Sequence, residues 1–381
     1  MSMKKIKLVT LVGTRPEIIR LSSILRNLQG SDAIDNILIH TGQNYDKNLG
    51  DVFYDDLSIN RPDYFLESAG SNSSETIGNI FINFDKILNK IKPDAILVLG
   101  DTNSCLSVII GKKKKIPIFH LEAGNRCFDQ RVPEEINRKI VDHVSDINLT
   151  YSDISRNYLI NEGFPPDRII KIGSPMYEVI HDNLKKINSS KILKKLSLKK
   201  NLFFLVSCHR EENVDSKSNF SNLISSLNII AEKFNLPIIF STHPRTKKIL
   251  NKMNFKINSL INFIDPLNFS DYNNLQINSL ITLSDSGTIS EESSILNFKA
   301  LNIRETHERP ESMEEASVIM CGLKSERIIQ AIEILNKQET DKSRNIKIVD
   351  EYSYNNVSLK VERIILSYID YVNRVVWSKE S

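Results

Sequence analysis

The sequence predicts an α/β protein of two domains, each with a parallel sheet that carries helices on both faces. The length of 381 residues fits two domains of ordinary size. Short apolar runs alternate with helical patterns along the chain, an order that is typical of parallel sheets. Nearly every predicted strand then ends in glycine, polar or charged residues, which are typical of the ligand-binding edge of such a sheet.

The first domain is predicted over residues 1–180. It opens with strand 6–12, and Pro16 suits the first position of helix 16–28, where a missing N–H costs nothing. Helix 73–91 is predicted from apolar residues that are spaced three and four apart. The other predicted elements are strands 36–40, 95–99, 116–121, 147–150 and 169–172 and helices 103–111, 133–145 and 153–162.

The second domain is predicted over residues 200–355. Residues 181–201 before it are rich in Lys, Asn and Ser and are expected to form a linker with a short exposed helix. The clearest helix of the second domain is 219–234, and a long helix over 356–377 places residues 360–381 with the first domain. The other predicted elements are strands 202–207, 237–241, 261–264, 280–283 and 299–303 and helix 325–337.

Composition excludes several classes of protein. The net charge is only +3, from 50 basic and 47 acidic residues, so a dedicated nucleic-acid binder is not expected. Four cysteines without a C-x-x-C pair give no zinc or disulfide framework and suit a reducing cytoplasm. No apolar run reaches the ~18 residues that span a bilayer, and the N-terminal apolar stretch is too short for a signal peptide. We therefore expect a soluble, cytoplasmic protein with no membrane or nucleic-acid partner.

Polar loops follow the predicted strands of both domains. Ligands of open parallel sheets bind outside the carboxyl ends of the strands. Ordinary surface loops would not select Gly, Arg, His and Asp so consistently, so we expect a deep cleft between the domains. The loops are GTRPE, HTGQNYD, GDTNS, HLEAG, GSPM, CHREEN, THPRT, DPLN, SDSGT and RETHERPE.

An acid–base set is predicted around the stretch 120–143, HLEAGNRCFDQRVPEEINRKIVDH. Glu122 follows a buried strand, where an unpaired carboxylate is costly, so it is either ion-paired or placed there for chemistry. A solvated loop with local salt bridges is the alternative, because ion-pair networks also gather charge. The other members of the predicted set are Asp101, Glu134, Glu135 and His209, whereas His120 and His143 are expected to be structural.

Two predicted phosphate sites complete the set. The loop from Ser286 through Gly287 and Thr288 enters a helix, so its N–H groups would face an anion. Of the next two acids, Glu291 and Glu292, one could accept hydrogen bonds from ribose hydroxyls, and the other would complement the helix dipole. The second site is Arg15 with Arg20 one turn on, and further anion-site candidates are Arg304, Arg309 and His243.

The kind of anion follows from motifs that are missing. There is no G-x-G-x-x-G and no G-x-x-x-x-G-K-[ST], so a dinucleotide cofactor and a P-loop ATPase are disfavoured. A nucleotide diphosphate is the favoured ligand. Carboxylates with a histidine could instead hold Mg²⁺ or Zn²⁺, but no pair shows a typical ligand spacing such as H-x-x-x-H, so no metal is expected.

Nine motifs in order resemble the non-hydrolysing UDP-N-acetylglucosamine 2-epimerases. They are GTRPEIIR, HTGQNYD, GDTNS, HLEAGNR, PEEINR, CHREEN, HPRT, SDSGTISEE and ERPE, over residues 13–311. The resemblance implies two Rossmann-like domains in the GT-B arrangement, a UDP-sugar ligand, no cofactor and a homodimer. It implies as catalytic residues Arg15, Asp101, Glu122, Glu134 and His209. It implies as substrate or UDP contacts Arg20, Ser286, Gly287, Thr288, Glu292 and Arg309. Arg126 and His243 are further candidate substrate or UDP contacts.

Three departures from the family pattern bear on the sugar. The family's GDTTT is GDTNS here, the loop CFDQRVPEE is short, and Asn44 stands where His is common. These features resemble the branch that converts UDP-2-acetamido-2,6-dideoxy-L-talose to UDP-N-acetyl-L-fucosamine for capsule or O-antigen. The implied reaction is 2-epimerisation of a UDP-2-acetamido sugar by elimination and re-addition of UDP. A hydrolysing epimerase, a GT-B glycosyltransferase and a non-catalytic nucleotide-sugar sensor stay open as alternatives.

Overall fold

The computed structural model describes residues 4–43, 53–242, 246–247, 249–250, 255–338 and 344–379. The chain divides into two compact units. One comprises Met1–Asp182 with Ser353–Ser381, and the other comprises Asn183–Tyr352. Each unit contains a parallel sheet with helices, so the prediction of two Rossmann-like domains is confirmed.

Within the described residues, a seven-stranded sheet forms the centre of the first domain. Its order is β3-β2-β1-β4-β5-β6-β7, and every neighbouring pair is parallel. The strand order reverses between β1 and β4, and ligands of such sheets bind beside that point. The strands are β1 (Ile6–Val12), β2 (Ile34–His40), β3 (Tyr64–Phe65), β4 (Ala95–Leu99), β5 (Ile118–Leu121), β6 (Ile147–Thr150) and β7 (Ile169–Lys171).

Helices cover this sheet and fill its core. Phe84 and Leu88, on the apolar face of the second helix, pack in one cluster with the strand residues Val9, Ile96 and Val98. Two short 3₁₀ helices, Asn103–Ser107 and Pro166–Arg168, supplement the α-helices. The α-helices are α1 (Arg15–Gln29), α2 (Ser73–Ile91), α3 (Val108–Lys113), α4 (Pro133–Val144) and α5 (Asp153–Asn161), and α6 (Met176–Ser189) contains the boundary between the two units.

In the described part of the second domain, six parallel strands form the sheet in the order β10-β9-β8-β11-β12-β13. The strands are β8 (Phe204–Ser207), β9 (Ile238–Ser241), β10 (Ile261–Ile264), β11 (Ile281–Ser284), β12 (Ala300–Asn302) and β13 (Ile319–Met320). The helices are α7 (Ile192–Lys195), α8 (Glu211–Val214), α9 (Lys217–Phe234), α10 (Phe269–Asn278), α11 (Ile289–Leu296), α12 (Pro310–Glu314) and α13 (Ser325–Asn336), followed by the 3₁₀ helix Asp350–Tyr352.

The last helix, α14 (Val357–Val375), packs against α1 in the first domain. The Asn27 side-chain amide of α1 donates a hydrogen bond to the Glu362 carboxylate over 2.8 Å. Burying an apolar stripe at helical spacing stabilises such a contact. The buried stripe of α14 consists of Val357, Val361, Ile365, Ile369 and Val372.

The structure differs from the prediction in two predicted segments and in two edge strands that were not predicted. Residues 181–189 continue helix α6 instead of forming a linker, because Asn183 and Ile187 are buried while the lysines face outward. The predicted helix 103–111 is a 3₁₀ turn followed by α3. The edge strands β3 and β13 were not expected, since two residues each carry no periodic pattern. No helix in the described ranges is long and apolar enough to cross a bilayer.

Candidate active site

Two neighbouring strands of the first sheet, β4 and β5, end in the loops that carry Asp101 and Glu122, and the adjacent strand β1 leads to Arg15. The backbone is left-handed at Gly100 after β4, with φ of 81°, and at Glu122 after β5, with φ of 66°. Glycine adopts this conformation freely, whereas any other residue loses about 1–2 kcal/mol. Glu122 is therefore held in a backbone conformation that costs free energy.

Glu122 is 5% exposed and forms an ion pair with Arg20 of α1. The Tyr151 hydroxyl also lies 3.4 Å from the paired carboxylate oxygen. Nη2 of Arg20 lies only 3.6 Å from where a Cβ would stand at Gly100. Glu122 is therefore ion-paired, and the Arg20 guanidinium also lies beside the backbone of Gly100, the residue before Asp101.

Asp101 is held by helix α4. Its carboxylate accepts hydrogen bonds from Nε of Arg138, over 3.1 Å, and from Nη2, and the Asn137 amide donates to its backbone carbonyl over 3.0 Å. Arg138 was not predicted. Its place in PEEINR, three residues after Glu135 and four after Glu134, was the available signal, because those positions share a helix face.

The two acids at the start of α4 differ in their surroundings. Glu135 is fully buried and accepts hydrogen bonds from the Cys127 N–H over 3.0 Å and from Arg138 over 2.8 Å. Burial alone would raise the pKa of Glu135, but these donors outweigh it and the pKa lies below its usual value. Glu135 therefore supports the loop, whereas Glu134 is only half-buried.

Glu17 of α1 is a buried carboxylate that the sequence did not single out. It accepts hydrogen bonds from the N–H groups of Gly13 and Thr14 and from the hydroxyls of Thr14 and Thr102. Burial raises the pKa of Glu17, although these donors offset part of the rise. The TRPE sequence was the available signal, since Thr followed three residues later by Glu is a capping-box pattern.

Arg126 differs from its predicted role as a ligand contact. Its side chain is 0% exposed and pairs with Asp142 over 2.7 Å and with Glu162 over 2.7 Å. Nδ1 of His120 lies 2.9 Å from the same Asp142, and Nε2 of His120 lies 2.8 Å from the Gly100 carbonyl. The guanidinium of Arg126 is used inside the protein, so it has a structural role, as does His120.

Arg15 lies on the exposed surface at the start of α1, with its guanidinium 4.7 Å from the centre of the Phe53 ring. His143, also exposed, has Nδ1 2.8 Å from the Lys139 carbonyl within α4. Arg15 lies at the start of the first helix as predicted, and His143 makes the local contact expected of a structural residue.

Asp285 organises the strand-end loop of the second domain that contains His209. The carboxylate is fully buried and accepts hydrogen bonds from the N–H groups of His209 and Arg210 and from the Asn213 amide, over 2.9–3.1 Å. Nδ1 of His209 lies 3.2 Å from the same carboxylate, and the His209 side chain is 41% exposed. Burial raises the pKa of Asp285, but His209 and these donors outweigh it, so the pKa lies below its usual value.

The predicted phosphate loop lies between β11 and α11. The hydroxyls of Ser286 and Thr288 are 3.0 Å apart, and Thr288 donates to Glu292 over 2.9 Å. The Gln276 amide donates to the other oxygen of Glu292 over 2.6 Å. A Cβ at Gly287 would lie 3.5 Å from Nη2 of Arg210, so this guanidinium stands over the loop. The helix N-terminus, two hydroxyls and a guanidinium form a set that suits a phosphate group.

The two predicted arginines after β12 are both ion-paired inside the second domain. Arg309, which is 3% exposed, lies 3.3 Å from Glu291, and Arg304 lies 3.0 Å from Glu308. Of the two acids in the first turn of α11, Glu291 therefore pairs with an arginine, while Glu292 faces the loop hydroxyls. The two acids therefore differ in their protein partners.

Two predicted features lie outside the described residues. They are His243 and the part of HTGQNYD from Asn44 onward. Over the described ranges, no group of three or more His, Cys, Asp or Glu side chains is arranged to hold a metal ion.

Comparison with known proteins gives a consistent family. The family model described as UDP-N-acetylglucosamine 2-epimerase matches residues 26–366. A curated UDP-N-acetylglucosamine 2-epimerase from Methanocaldococcus jannaschii is 37% identical over 346 residues, which cover 88% of this chain and 94% of that protein.

Two solved structures are similar over nearly the whole chain. A UDP-N-acetylglucosamine 2-epimerase from Rickettsia bellii has a TM-score of 0.93 and 49% identity, covering 99% of this chain and 100% of that one. A Methanocaldococcus jannaschii UDP-GlcNAc 2-epimerase in complex with UDP-GlcNAc and UDP has a TM-score of 0.88 and 35% identity, covering 95% and 100%.

Proposed function

The chain belongs to the UDP-N-acetylglucosamine 2-epimerase family, whose members are isomerases, and on this premise we propose that it inverts carbon 2 of a UDP-2-acetamido sugar without a cofactor. One observation of the structure carries the proposal. The candidate carboxylates Asp101 and Glu122 follow adjacent strands at the carboxyl edge of one sheet, and Glu134 begins the helix that holds Asp101.

The reaction must overcome a weakly acidic C–H bond. Carbon 2 has no adjacent carbonyl, so simple deprotonation would leave an unstabilised carbanion. In the proposed route a base removes the proton from carbon 2 while the bond from carbon 1 to the UDP oxygen breaks, which gives a 2-acetamidoglycal and UDP. UDP then adds back to carbon 1 while an acid delivers a proton to the opposite face of carbon 2.

The groups of the first domain are proposed to move the protons. Asp101, Glu122 and Glu134 form the proton-transfer set, without an assigned order, and each positioned acid or base contributes typically ~10²–10⁴-fold. In the structure Glu122 is paired with Arg20, and Asp101 is paired with Arg138. These pairs compensate the charge of the carboxylates and hold them at defined positions.

The groups of the second domain are proposed to stabilise the leaving UDP. His209, oriented by Asp285, and the Ser286–Thr288 loop supply donors to phosphate oxygens, with Arg15 of the first domain as a further cation. Stabilising the charge that develops on a leaving group is usually the largest single contribution to catalysis. Glu292, which accepts hydrogen bonds from Gln276 and Thr288, is proposed to accept a further one from a ribose hydroxyl.

Two sugars are proposed as substrates. The names of the relatives favour UDP-N-acetylglucosamine. The departures Asn103 and Ser104, with the short loop 127–135, favour the 6-deoxy substrate UDP-2-acetamido-2,6-dideoxy-L-talose. We also propose a homodimer that supplies a capsule or O-antigen precursor, and light scattering against the chain mass of 43.6 kDa tests the oligomer.

NMR of each UDP-sugar incubated with the protein in heavy water tests the proposed function. We expect a second set of sugar signals from the 2-epimer, with deuterium at carbon 2 of both epimers and UDP still attached at equilibrium. Release of UDP and free sugar in equal amounts would identify a hydrolysing epimerase. Absence of deuterium at carbon 2, together with transfer to an added acceptor, would identify a glycosyltransferase.

A further inference from the structure

Glu17 has more partners than its place in α1 requires. It occupies the third position of α1, where a glutamate commonly accepts hydrogen bonds from the backbone before the helix. Its Oε2 accepts such bonds from Gly13 over 2.9 Å and from Thr14 over 2.7 Å. Unlike most capping residues it is 0% exposed, so its burial has to be offset by further contacts.

The second carboxylate oxygen provides those contacts, and its partners lie outside α1. Oε1 accepts a hydrogen bond from the Thr102 hydroxyl over 2.9 Å, and Sγ of Cys105 lies 3.5 Å from the same oxygen. Thr102 directly follows Asp101 in the loop after β4. One carboxylate therefore joins the loop after β1 to the loop after β4, across a sequence separation of 85 residues.

Another glutamate in the same domain shows what a plain capping residue looks like. Glu75 occupies the third position of α2 and accepts a hydrogen bond from the Ser71 N–H over 2.7 Å. Glu75 is exposed, and among the described residues its hydrogen bonds reach Ser71 and Asn72 at the start of the helix. Glu17 differs from it in burial and in the bond to a second loop.

We propose that Glu17 is a positioning residue for the reaction. By accepting a hydrogen bond from the Thr102 hydroxyl, Glu17 fixes the position of Asp101 relative to α1, the helix that carries Arg20. This inference rests on the proposed epimerase function. The carboxylate acts through Thr102 and does not contact the sugar. Displacing Asp101 by a fraction of an ångström lowers the rate of proton transfer, since catalytic groups need defined geometry.

Thr102 gives the sharpest test, because two substitutions separate the shape of its side chain from the hydrogen bond of its hydroxyl. Thr102→Val keeps the shape and loses the hydroxyl, whereas Thr102→Ser keeps the hydroxyl. We expect kcat for epimerisation to fall about tenfold in Thr102→Val, with KM for the UDP-sugar within twofold, and to recover to within twofold of the wild type in Thr102→Ser. Equal kcat in all three proteins, or equal loss in both variants, would overturn the inference.

A double-mutant cycle tests whether Thr102 acts through Glu17. Glu17→Ala is expected to lower kcat about 100-fold, and adding Thr102→Val to it is expected to change kcat less than twofold. If kcat of the double variant fell by the product of the two single-variant factors, the two residues would act independently, and this would contradict the proposal. If Glu17→Ala does not fold, the Thr102 pair decides alone.

The matched control is Glu75→Ala, which removes a capping glutamate from the same domain and should leave kcat and KM unchanged. A loss of activity in this variant as large as in Glu17→Ala would assign the effect to helix capping and overturn the inference. The wild-type protein is assayed first with both UDP-sugars. No turnover there refutes the proposed function, whereas turnover that is insensitive to Thr102→Val refutes only the role of Glu17.

Discussion

Arg20 and Glu122 form a buried ion pair between residues 102 positions apart in the sequence, one on the first helix and the other at the end of the fifth strand. The side chains are 10% and 4% exposed. Two charges in such a place are stable only together, because a lone buried charge keeps the full cost of leaving water. The pair therefore combines a structural contact with a carboxylate that we propose to be catalytic.

Removing the cation of this pair should destabilise the first domain. We expect Arg20→Met to lower the free energy of unfolding by about 3–5 kcal/mol, because Glu122 is left buried without its partner. The double variant Arg20→Met with Glu122→Gln should recover much of this loss. Urea unfolding, followed by a probe in the first domain, measures both, and Asp85→Asn, which breaks the surface pair with Lys114, is the control. An equal loss of unfolding free energy in Arg20→Met and in the double variant would contradict the prediction.

Removing the charge of Glu122 should separate catalysis from binding. We expect Glu122→Gln to lower turnover by roughly 10³-fold, since a carboxamide cannot transfer the proton, while UDP binds with unchanged affinity. The heavy-water NMR assay measures turnover, and calorimetry measures UDP binding. Turnover within threefold of the wild type would remove Glu122 from the mechanism.

Asp285 should matter for UDP rather than for stability alone. Asp285→Asn removes the charge beside His209, and we expect the Kd for UDP to rise about tenfold, the equivalent of one lost charge-assisted hydrogen bond. The matched control in the same domain is Asp265→Asn, whose partner Lys247 lies at the surface. Calorimetry at neutral pH measures both variants, and thermal unfolding shows whether they fold. A UDP affinity equal to that of the wild type would exclude the assigned role.

The low pKa of Asp285 also sets the direction of its pH dependence. Because its folded-state pKa lies below the ordinary value of 3.8, the carboxylate stabilises the second domain at every pH above that value. The contribution is lost only as pH falls below about 4. Asp285→Asn should therefore lower the free energy of urea unfolding at pH 5, and this loss should shrink as the pH falls below about 4.

His40 should make the first domain sensitive to mild acid. Burial lowers the pKa of His40 from 6.5 to about 4, and its Nδ1 accepts a hydrogen bond from the Gly42 N–H over 2.9 Å. The unfolded chain binds a proton between these two pH values and the folded chain does not, so stability falls as the pH drops from 6.5 to 4. The full loss is about 3 kcal/mol.

The substitution His40→Asn tests this prediction, because its side-chain oxygen can still accept from Gly42 but does not titrate. We expect the difference in unfolding midpoint between the wild type and the variant to change across pH 4–6.5 and to stay constant above pH 7. A difference that is independent of pH would show that His40 is not the group responsible.

Elements with a clear local pattern could be predicted from the sequence. Helix 73–91 and strands 95–99, 147–150 and 261–264 have the predicted bounds, because their apolar spacing and the residues that end them are local signals. The edge strands of two residues give no such signal. Residues 181–189 were misjudged because composition hid an amphipathic helix.

The candidate site shows the same limit. The sequence indicated Asp101 and Glu122 because charged residues directly follow buried strands. It could not indicate that Arg138 holds Asp101 or that Glu17 reaches Thr102, since these partners are far apart in sequence and meet only in the folded sheet. Arg126 was assigned to the ligand for the same reason, because its buried partners Asp142 and Glu162 become apparent only from the fold.

The packing of α14 against α1 has a consequence for biosynthesis. The first domain is assembled from the beginning and the end of the chain, whereas the second is one continuous stretch. Domains fold as units while the chain leaves the ribosome, so the later-made second domain can finish folding before the earlier one. Until residues 353–375 have emerged, the face of α1 that receives the apolar stripe is uncovered, and a nascent chain stalled at that stage is a target for chaperones and proteases.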